Sequence, residues 1–503
     1  MKHGRHLAIT AAVAGAFALP LAIGPQAARA DELSDLRANQ ELLQRRLDQL
    51  AQGIPAPGAP YPGGPVAKTA GAALVGGSFP RSFVIPGTDT SIRVGGEIRL
   101  LADYIFNGGN PNRGTPFNST LGNNGQIPAI PLNGSAARRT SRAIFGMTPR
   151  ESKVNFETRT PTAYGEARTF MEFDWAGSTA FAPGGADPTS VSDSLHPRLR
   201  YAYGTLGGIL GGQANSNFSD SDASAETIDF GGNFGSAGVV RLAQLRYTMP
   251  LAPWGYPGAL SVSAESPETD IVTGAGIIAD DASGADPAGD RPSGTINPTK
   301  TPAPDLTLAW YVPQPWGHFD FSAVVRPTLQ IKDNAFVDRT FTGWGIHFSG
   351  DVKPLWFGWA KDNITWQFVY GDGIGRYLNS STNFSVVSNY PATHLASAAE
   401  AAALRAKTTV EWGGQVGYQH FWAPNLRSSV SAGFNHHDIP SLIISDSQRG
   451  SLNKELISVH ANLIWAPVPF VDFGLEYLWG HRRVVNNEHG DMNALISRMR
   501  VRF

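Results

Sequence analysis

Ile92-Arg93-Val94-Gly95-Gly96-Glu97-Ile98-Arg99-Leu100-Leu101-Ala102-Asp103-Tyr104 is the stretch on which the fold turns. Successive side chains of an extended chain point to opposite faces, so Ile92, Val94, Ile98, Leu100, Ala102 and Tyr104 share one face. Arg93, Glu97, Arg99 and Asp103 share the other. A strand with one greasy and one charged face suits a sheet that stands between lipid and water. Gly165 to Trp175 repeats the pattern, with Ala167, Met171, Phe173 and Trp175 opposite Glu166, Arg168, Glu172 and Asp174. Between Phe319 and Ile331, Phe321, Ala323, Val325 and Leu329 oppose Asp320, Ser322, Arg326 and Gln330. Pro327 cannot donate a ladder hydrogen bond there and predicts a bulge or local break.

Working outward, about sixteen such segments start near residues 92, 150, 164, 198, 208, 239, 258, 304, 317, 340, 361, 406, 425, 452, 469 and 491. Connections alternate between tight and long. Pro161-Thr162-Ala163, Pro313-Gln314-Pro315-Trp316, Trp422-Ala423-Pro424-Asn425 and Pro467-Val468-Pro469 are tight, whereas 105–149, 268–303 and 372–405 are long. The reading is an all-β chain folded as a 16-stranded antiparallel transmembrane β-barrel, with short periplasmic turns and long outer loops. Trp254, Trp316, Trp356, Trp359, Trp422 and Trp465 fall beside the tight turns and form an expected interfacial girdle. At the C-terminal end, Leu495, Ser497, Met499, Val501 and Phe503 alternate with Ile496, Arg498, Arg500 and Arg502.

Composition agrees without deciding. Among 503 residues only 16% are charged, with 56 Gly, 12 Trp, 26 Phe and no Cys, a profile that a large soluble β-sandwich or β-helix would also fit. Disulfides and thiolate metal sites are excluded. Lys2, His3 and Arg5 precede an apolar run from Leu7 to Ile23, and Ala28-Arg29-Ala30 supplies a small-x-small cleavage pattern, so residues 1–30 read as a signal peptide. Cleavage before Asp31 would remove three basic residues from a chain already at net charge −2, which disfavours nucleic acid as a partner. No later segment offers about 18 consecutive apolar residues for a helical span. In residues 31–52, Leu33, Leu36, Gln40, Leu43, Leu47 and Leu50 recur at spacings of three and four, a short periplasmic coiled-coil seam. The other reading of this segment is an amphipathic helix lying on its own domain. Residues 53–80, with Pro55, Pro57, Pro60, Pro62 and Pro65, read as a linker, and the barrel is expected over 81–503.

The stretch Ser82 to Ser91 (SFVIPGTDTS), continuing into Ile92-Arg93-Val94-Gly95-Gly96, resembles the start of the barrel in DcaP-like outer-membrane porins. Further matching stretches are Lys153 to Pro161 (KVNFETRTP), Arg200 to Gly204 (RYAYG), Gly211-Gly212-Gln213 with Asn217-Phe218, and Glu226 to Gly232 (ETIDFGG). The resemblance implies a homotrimer of sixteen-stranded barrels in the bacterial outer membrane, a periplasmic coiled coil, and uptake of dicarboxylates and related small anions. The terminal strand ending on Phe503 likewise resembles the address read by the barrel assembly machinery. Such a protein would contact outer-membrane lipid and lipopolysaccharide and carry no cofactor.

If greasy faces meet lipid, charged faces line the interior, since Lys or Arg facing mid-membrane lipid costs about 2–4 kcal/mol. The basic candidates are Arg93, Arg99, Lys153, Arg168, Arg200, Arg246, Arg326, Arg427, Arg498, Arg500 and Arg502. Acidic ones are Glu97, Glu157, Glu172, Asp174, Asp320, Asp472 and Glu476. By number this wall is mixed, so selectivity must come from clustering. Barrel closure sets the last strand's three arginines beside Arg93 and Arg99, a seam whose guanidinium forks match carboxylates. The alternative is that these arginines only pair with acids and brace the wall. The third outer loop, 214–238, carries Asp220, Asp222, Glu226 and Asp229 and is expected to fold inward as a constriction opposite that seam; the simpler reading leaves its acids in outside solvent. Asn435-His436-His437-Asp438 with His481 and His489 is a weak metal or hydrolase candidate, because adjacent histidines in a strand face opposite ways. Gly371-Asp372-Gly373-Ile374-Gly375 lacks the following helix of a phosphate cradle. No catalytic or metal site is expected. The competing class is an envelope tether, with the barrel an anchor and the coiled coil bound to cell wall or a partner.

Overall fold

A computed structural model describes residues 76–503 except 110–126, 178–196, 238–239, 269–270, 274–275, 279–298, 333–336, 357–360, 380–383 and 390–396. The expected signal peptide, coiled-coil seam and nearly all of the linker lie outside the described residues, as does Trp359.

The alternating segments form sixteen barrel strands, numbered in chain order. They are β1 (Ser91–Asn107), β2 (Arg142–Thr148 and Lys153–Thr162), β3 (Gly165–Asp174), β4 (Arg198–Leu206), β5 (Ile209–Asn215), β6 (Arg241–Pro250), β7 (Ala259–Glu265) and β8 (Asp305–Gln314). The chain continues with β9 (Gly317–Lys332), β10 (Asp338–Val352), β11 (Asn363–Asp372), β12 (Val410–Ala423), β13 (Leu426–Asp438), β14 (Asn453–Val468), β15 (Val471–Val484) and β16 (His489–Arg502). Each pairs antiparallel with its neighbours, and β16 closes on β1 through Glu97↔Arg502, Arg99↔Arg500 and Leu101↔Arg498. Closure pairs every strand and leaves no open edge.

Facing follows the alternation except beyond the Pro327 bulge, where Leu329, expected on the outer face, is buried against loop residues Val386 and Leu404. Val94, Ile98, Leu100, Tyr104 and Phe106 are exposed on the outside of β1, while Glu97, Arg99 and Asp103 are buried inside. Trp254, Trp316, Trp356, Trp422 and Trp465 are all exposed near the tight connections. The bulge expected at Pro327 is present as a register shift between Arg326 and Leu329.

Three expectations need correction. The second strand begins at Arg142 rather than near 150; its two segments pair with different halves of β1, interrupted at 149–152. Ala406–Thr408 is not part of the barrel but joins Ile271–Thr273, Gly276–Ile278 and Val386–Ser388 in a separate small sheet built from loops. The eight outer connections are not uniformly long, since β9–β10 and β15–β16 are joined by 333–337 and 485–488.

Inside, outer loops pack against the barrel wall. Leu101 and Ile105 of β1, Leu456 and Ile464 of β14, Leu478 of β15 and Ile496 of β16 form one apolar cluster with Ile127 and Ile130 of the first loop and Ile228 and Phe234 of the third. Phe218 and Ala237 of the third loop meet Ile374, Tyr377 and Leu378 of the sixth against Val324 and Val369. Removing these side chains from water favours loops that are drawn into the barrel.

Candidate functional site

The described part of the third loop, residues 216–237 after β5, runs along the interior wall. Ser349 Oγ donates to Asp220 Oδ2 (2.7 Å), His318 Nε2 lies 2.7 Å from the same oxygen, and Gln367 Nε2 donates to the Asp220 carbonyl (3.1 Å). Arg427 forks onto Glu226, its Nε and Nη2 each 2.6 Å from a carboxylate oxygen. The N–H groups of Ile228 and Asp229 donate to the two oxygens of Glu476 at 2.7 and 3.0 Å. Phe234 N–H donates to Ser458 Oγ and Ala237 N–H to Gln367 Oε1, each at 3.1 Å. The inward course expected for residues 214–238 is thus followed by the described residues 216–237.

Gly235 shows how closely the loop sits. Its φ is +76°, and a Cβ there would lie 2.0 Å from the Phe434 carbonyl oxygen and 2.5 Å from Gly414 N. Only glycine combines that backbone conformation with that approach.

The loop's acids serve mainly as anchors. Burial would raise the Glu226 carboxyl, but Arg427, with Arg498 and Arg500 nearby, holds it below the ordinary 4.5. Burial acts likewise on Asp220, and the hydrogen bonds from His318 and Ser349 hold it below 3.8. Asp222 is exposed, and its N–H donates to Asp220 Oδ1 (3.0 Å).

Along β15, β16 and β1 the arginines do come together. Asp472, fully buried, is shared by Arg498 (3.0 Å), Arg500 (2.6 Å) and Arg502 (2.6 Å). Glu226 of the third loop lies 4.0 and 3.9 Å from Arg498 and Arg500, so loop and seam meet. Arg99 pairs with Glu97 (2.6 Å) and Glu151 (3.2 Å), and Lys153 lies 3.5 Å from Glu97.

A second cluster on β1–β3 has the same form. Glu157 is shared by Arg93 (2.5 Å), Arg159 (2.8 Å) and Arg168 (2.8 Å). Further along, Asp174 receives Arg198 (2.6 Å) and Arg200 (2.8 Å), and Arg200 also reaches Glu172 (2.7 Å). Phe230 at the loop tip lies under Arg99, Arg198 and Arg200, with guanidinium carbons 5.1–5.8 Å from its ring centroid. Arg159 also reaches Glu166 (3.4 Å), so the Glu157 cluster has a formal excess of one positive charge; the Asp472 cluster, whose neighbours Glu97 and Glu226 are paired with Arg99 and Arg427, has an excess of two.

Arg246 is half-buried beside Gln244 Oε1 (2.9 Å). Arg326 corrects its assignment to the lining. It is fully buried, donating to Asp305 (3.2 Å), to the Gly373 and Ile374 carbonyls (2.9 and 3.1 Å) and to Ser385 Oγ (2.5 Å). Packed loops close over it, so it ties the sixth loop to the wall. His437 is buried against Glu411 (2.9 Å) whereas His436 pairs with Glu455 (3.3 Å), and no metal-holding group exists among the described residues.

Sequence reasoning did not single out Arg159, Arg198, Glu151, Phe79 or Phe230. Arg159 and Arg198 lie two residues from Glu157 and Arg200 on the same faces, which the period of two could have revealed. Phe79 lies in the expected linker, yet Ser78 N–H donates to Ser91 Oγ (2.9 Å) and Arg159 stacks 4.5 Å from the Phe79 ring centroid.

A closed antiparallel barrel of sixteen strands, apolar outside and charged within, defines an outer-membrane channel. Residues 81–481 match the family described as "Porin subfamily", and the chain belongs to that family. Its fold is similar to that of the outer membrane channel DcaP of Acinetobacter baumannii, at 22% identity over 82% of this chain and 97% of that one, with a TM-score of 0.61. More distant are the anion-selective porin from Comamonas acidovorans (6% identity, 82% and 100% covered, TM-score 0.45) and the trimer form of OmpT from Vibrio cholerae (8%, 82% and 99%, 0.42). None of the curated proteins matches in sequence. Family and barrel together point to the bacterial outer membrane, and to a channel rather than an enzyme.

Proposed function

We propose that this channel is a diffusion porin for small anions, dicarboxylates among them, and that it works as a homotrimer carrying a periplasmic coiled coil over residues 31–52. The observation that carries the anion reading is the sharing of single carboxylates, Glu157 and Asp472, among three arginines each. Guanidiniums outnumber the carboxylates they share, by two at Asp472 and, counting Glu166, by one at Glu157, which leaves a fixed positive field along the wall. Water-filled surroundings screen that field without abolishing it over distances shorter than about 10 Å. Guanidinium forks can also exchange one carboxylate partner for another, so a solute carboxylate can be handed along the wall. Because Asp220 and Glu226 are anchored, selectivity resides in the arginine clusters more than in a field between an acidic loop and a basic wall. The test is swelling of liposomes carrying the purified protein. Succinate is expected to enter faster than neutral or cationic solutes of similar size; equal or slower entry would refute the reading.

A further inference from the structure

The arginine clusters are not the only feature on this wall. Phe170 pairs in register with Glu157 on one side and with Tyr203 on the other, and Tyr201 pairs with Glu172. The three rings therefore point into the barrel with those carboxylates, and all three are half-buried. Their centroids form a contiguous group, 5.7 Å from Phe170 to Tyr203, 5.9 Å from Phe170 to Tyr201 and 6.4 Å between the tyrosines. Guanidiniums flank the group. Arg168 lies 5.8 Å from both Phe170 and Tyr203, and Arg241 lies 5.1 Å from Tyr201. The Tyr201 hydroxyl donates to Asn215 Oδ1 at 3.0 Å, adding an amide at one end.

A short aliphatic dicarboxylate would use the guanidiniums here and leave the rings in contact with water. Rings supply flat apolar area at low conformational cost, and a solute benefits from them only if it presents a matching flat, C–H-bearing face. The adjoining phenol and amide groups offer partners to hydroxyls, and a bare hydrocarbon ring would leave those groups unmatched. A pyranose ring bearing a carboxylate has all three features: a C–H face, hydroxyls around its edge and a charge for Arg168 or Arg241. We infer that Phe170, Tyr201 and Tyr203, flanked by Arg168 and Arg241, form a sliding site for anionic sugars of the uronate class. The inference rests on the anion-channel reading and names a solute class for it.

The experiment is current block by sodium glucuronate in planar bilayers containing the purified full chain, with glucose, succinate and benzoate as comparators. Glucuronate is expected to half-saturate its block at a concentration about tenfold below that of each comparator, a difference near 1.4 kcal/mol. Tyr201→Ala and Tyr203→Ala are expected to weaken glucuronate about three- to tenfold more than succinate, in the range of a lost ring contact. Phe170→Leu is the milder companion, and chloride current in every variant first establishes an open barrel. Equal block by succinate, equal or tighter block by benzoate, or variants that weaken glucuronate and succinate alike would each overturn the sugar site. Loss of anion preference in the unmodified channel would instead overturn the reading beneath it.

Discussion

Asp472→Asn removes one negative charge with almost no change of shape, at a residue that is fully buried and held by Arg498, Arg500 and Arg502 at 2.6–3.0 Å. The cluster's formal charge then rises from two to three. For a monovalent ion passing at roughly 7 Å through water, one added charge is worth about 0.6 kcal/mol, and screening at about 0.1 M salt halves it. The same 0.3 kcal/mol favours chloride and disfavours potassium, so the chloride-to-potassium permeability ratio should rise about threefold. Zero-current potentials under a KCl gradient read that ratio directly. Repeating them near 1 M, where the screening length falls to about 3 Å, should shrink the difference. A ratio that stayed constant, or moved toward potassium, would refute the placement of these arginines along the ion path. Unchanged heat-resistant mobility on gels would exclude a misfolded barrel as the cause.

Gly235→Ala places a methyl group against the Phe434 carbonyl and Gly414, so the third loop should leave the wall and single-channel conductance should rise; unchanged conductance would argue against a loop that narrows the barrel. Glu226 has a depressed carboxyl value, so its anchor to Arg427 is complete above the ordinary 4.5 and is lost only as pH falls through the lower value. Conductance should therefore stay constant from about pH 7 to 4.5 and change below that, while Glu226→Gln should show the altered conductance already at neutral pH. Arg326→Ala leaves Asp305 with Tyr377 and Arg376 but unpairs the Gly373 and Ile374 carbonyls inside the barrel, a loss on the order of 1–3 kcal/mol that should lower the unfolding temperature with no change in ion selectivity. Altered selectivity at unchanged stability would return Arg326 to the lining.

How much of this was legible in the sequence differs by level. Strand starts near 198, 208, 258, 304 and 317 agree with the observed 198, 209, 259, 305 and 317, because a period of two with tight turns is a local signal. The start of β2 was misplaced because its interruption at 149–152 disguises one strand as a loop followed by a strand. Alternation tells which way a side chain points and not what covers it. Arg326 points inward as its strand predicts, yet the fourth and sixth loops close over it. Inward Leu101, Leu456 and Leu478 broke the charged-inside pattern for the same reason: loops, not water, occupy that part of the barrel. The three-arginine clusters were half legible. The seam of Arg498, Arg500 and Arg502 followed from closure of the last strand on the first, whereas the sharing of Glu157 required the β1–β2–β3 register, which no local pattern specifies.

The most direct measurement is the zero-current potential of the unmodified protein in a planar bilayer separating dilute from concentrated KCl. An excess of wall arginines over their shared carboxylates predicts a potential of the sign set by chloride moving down its gradient. A potential near zero, or of the sign set by potassium, would contradict an anion channel built on these clusters.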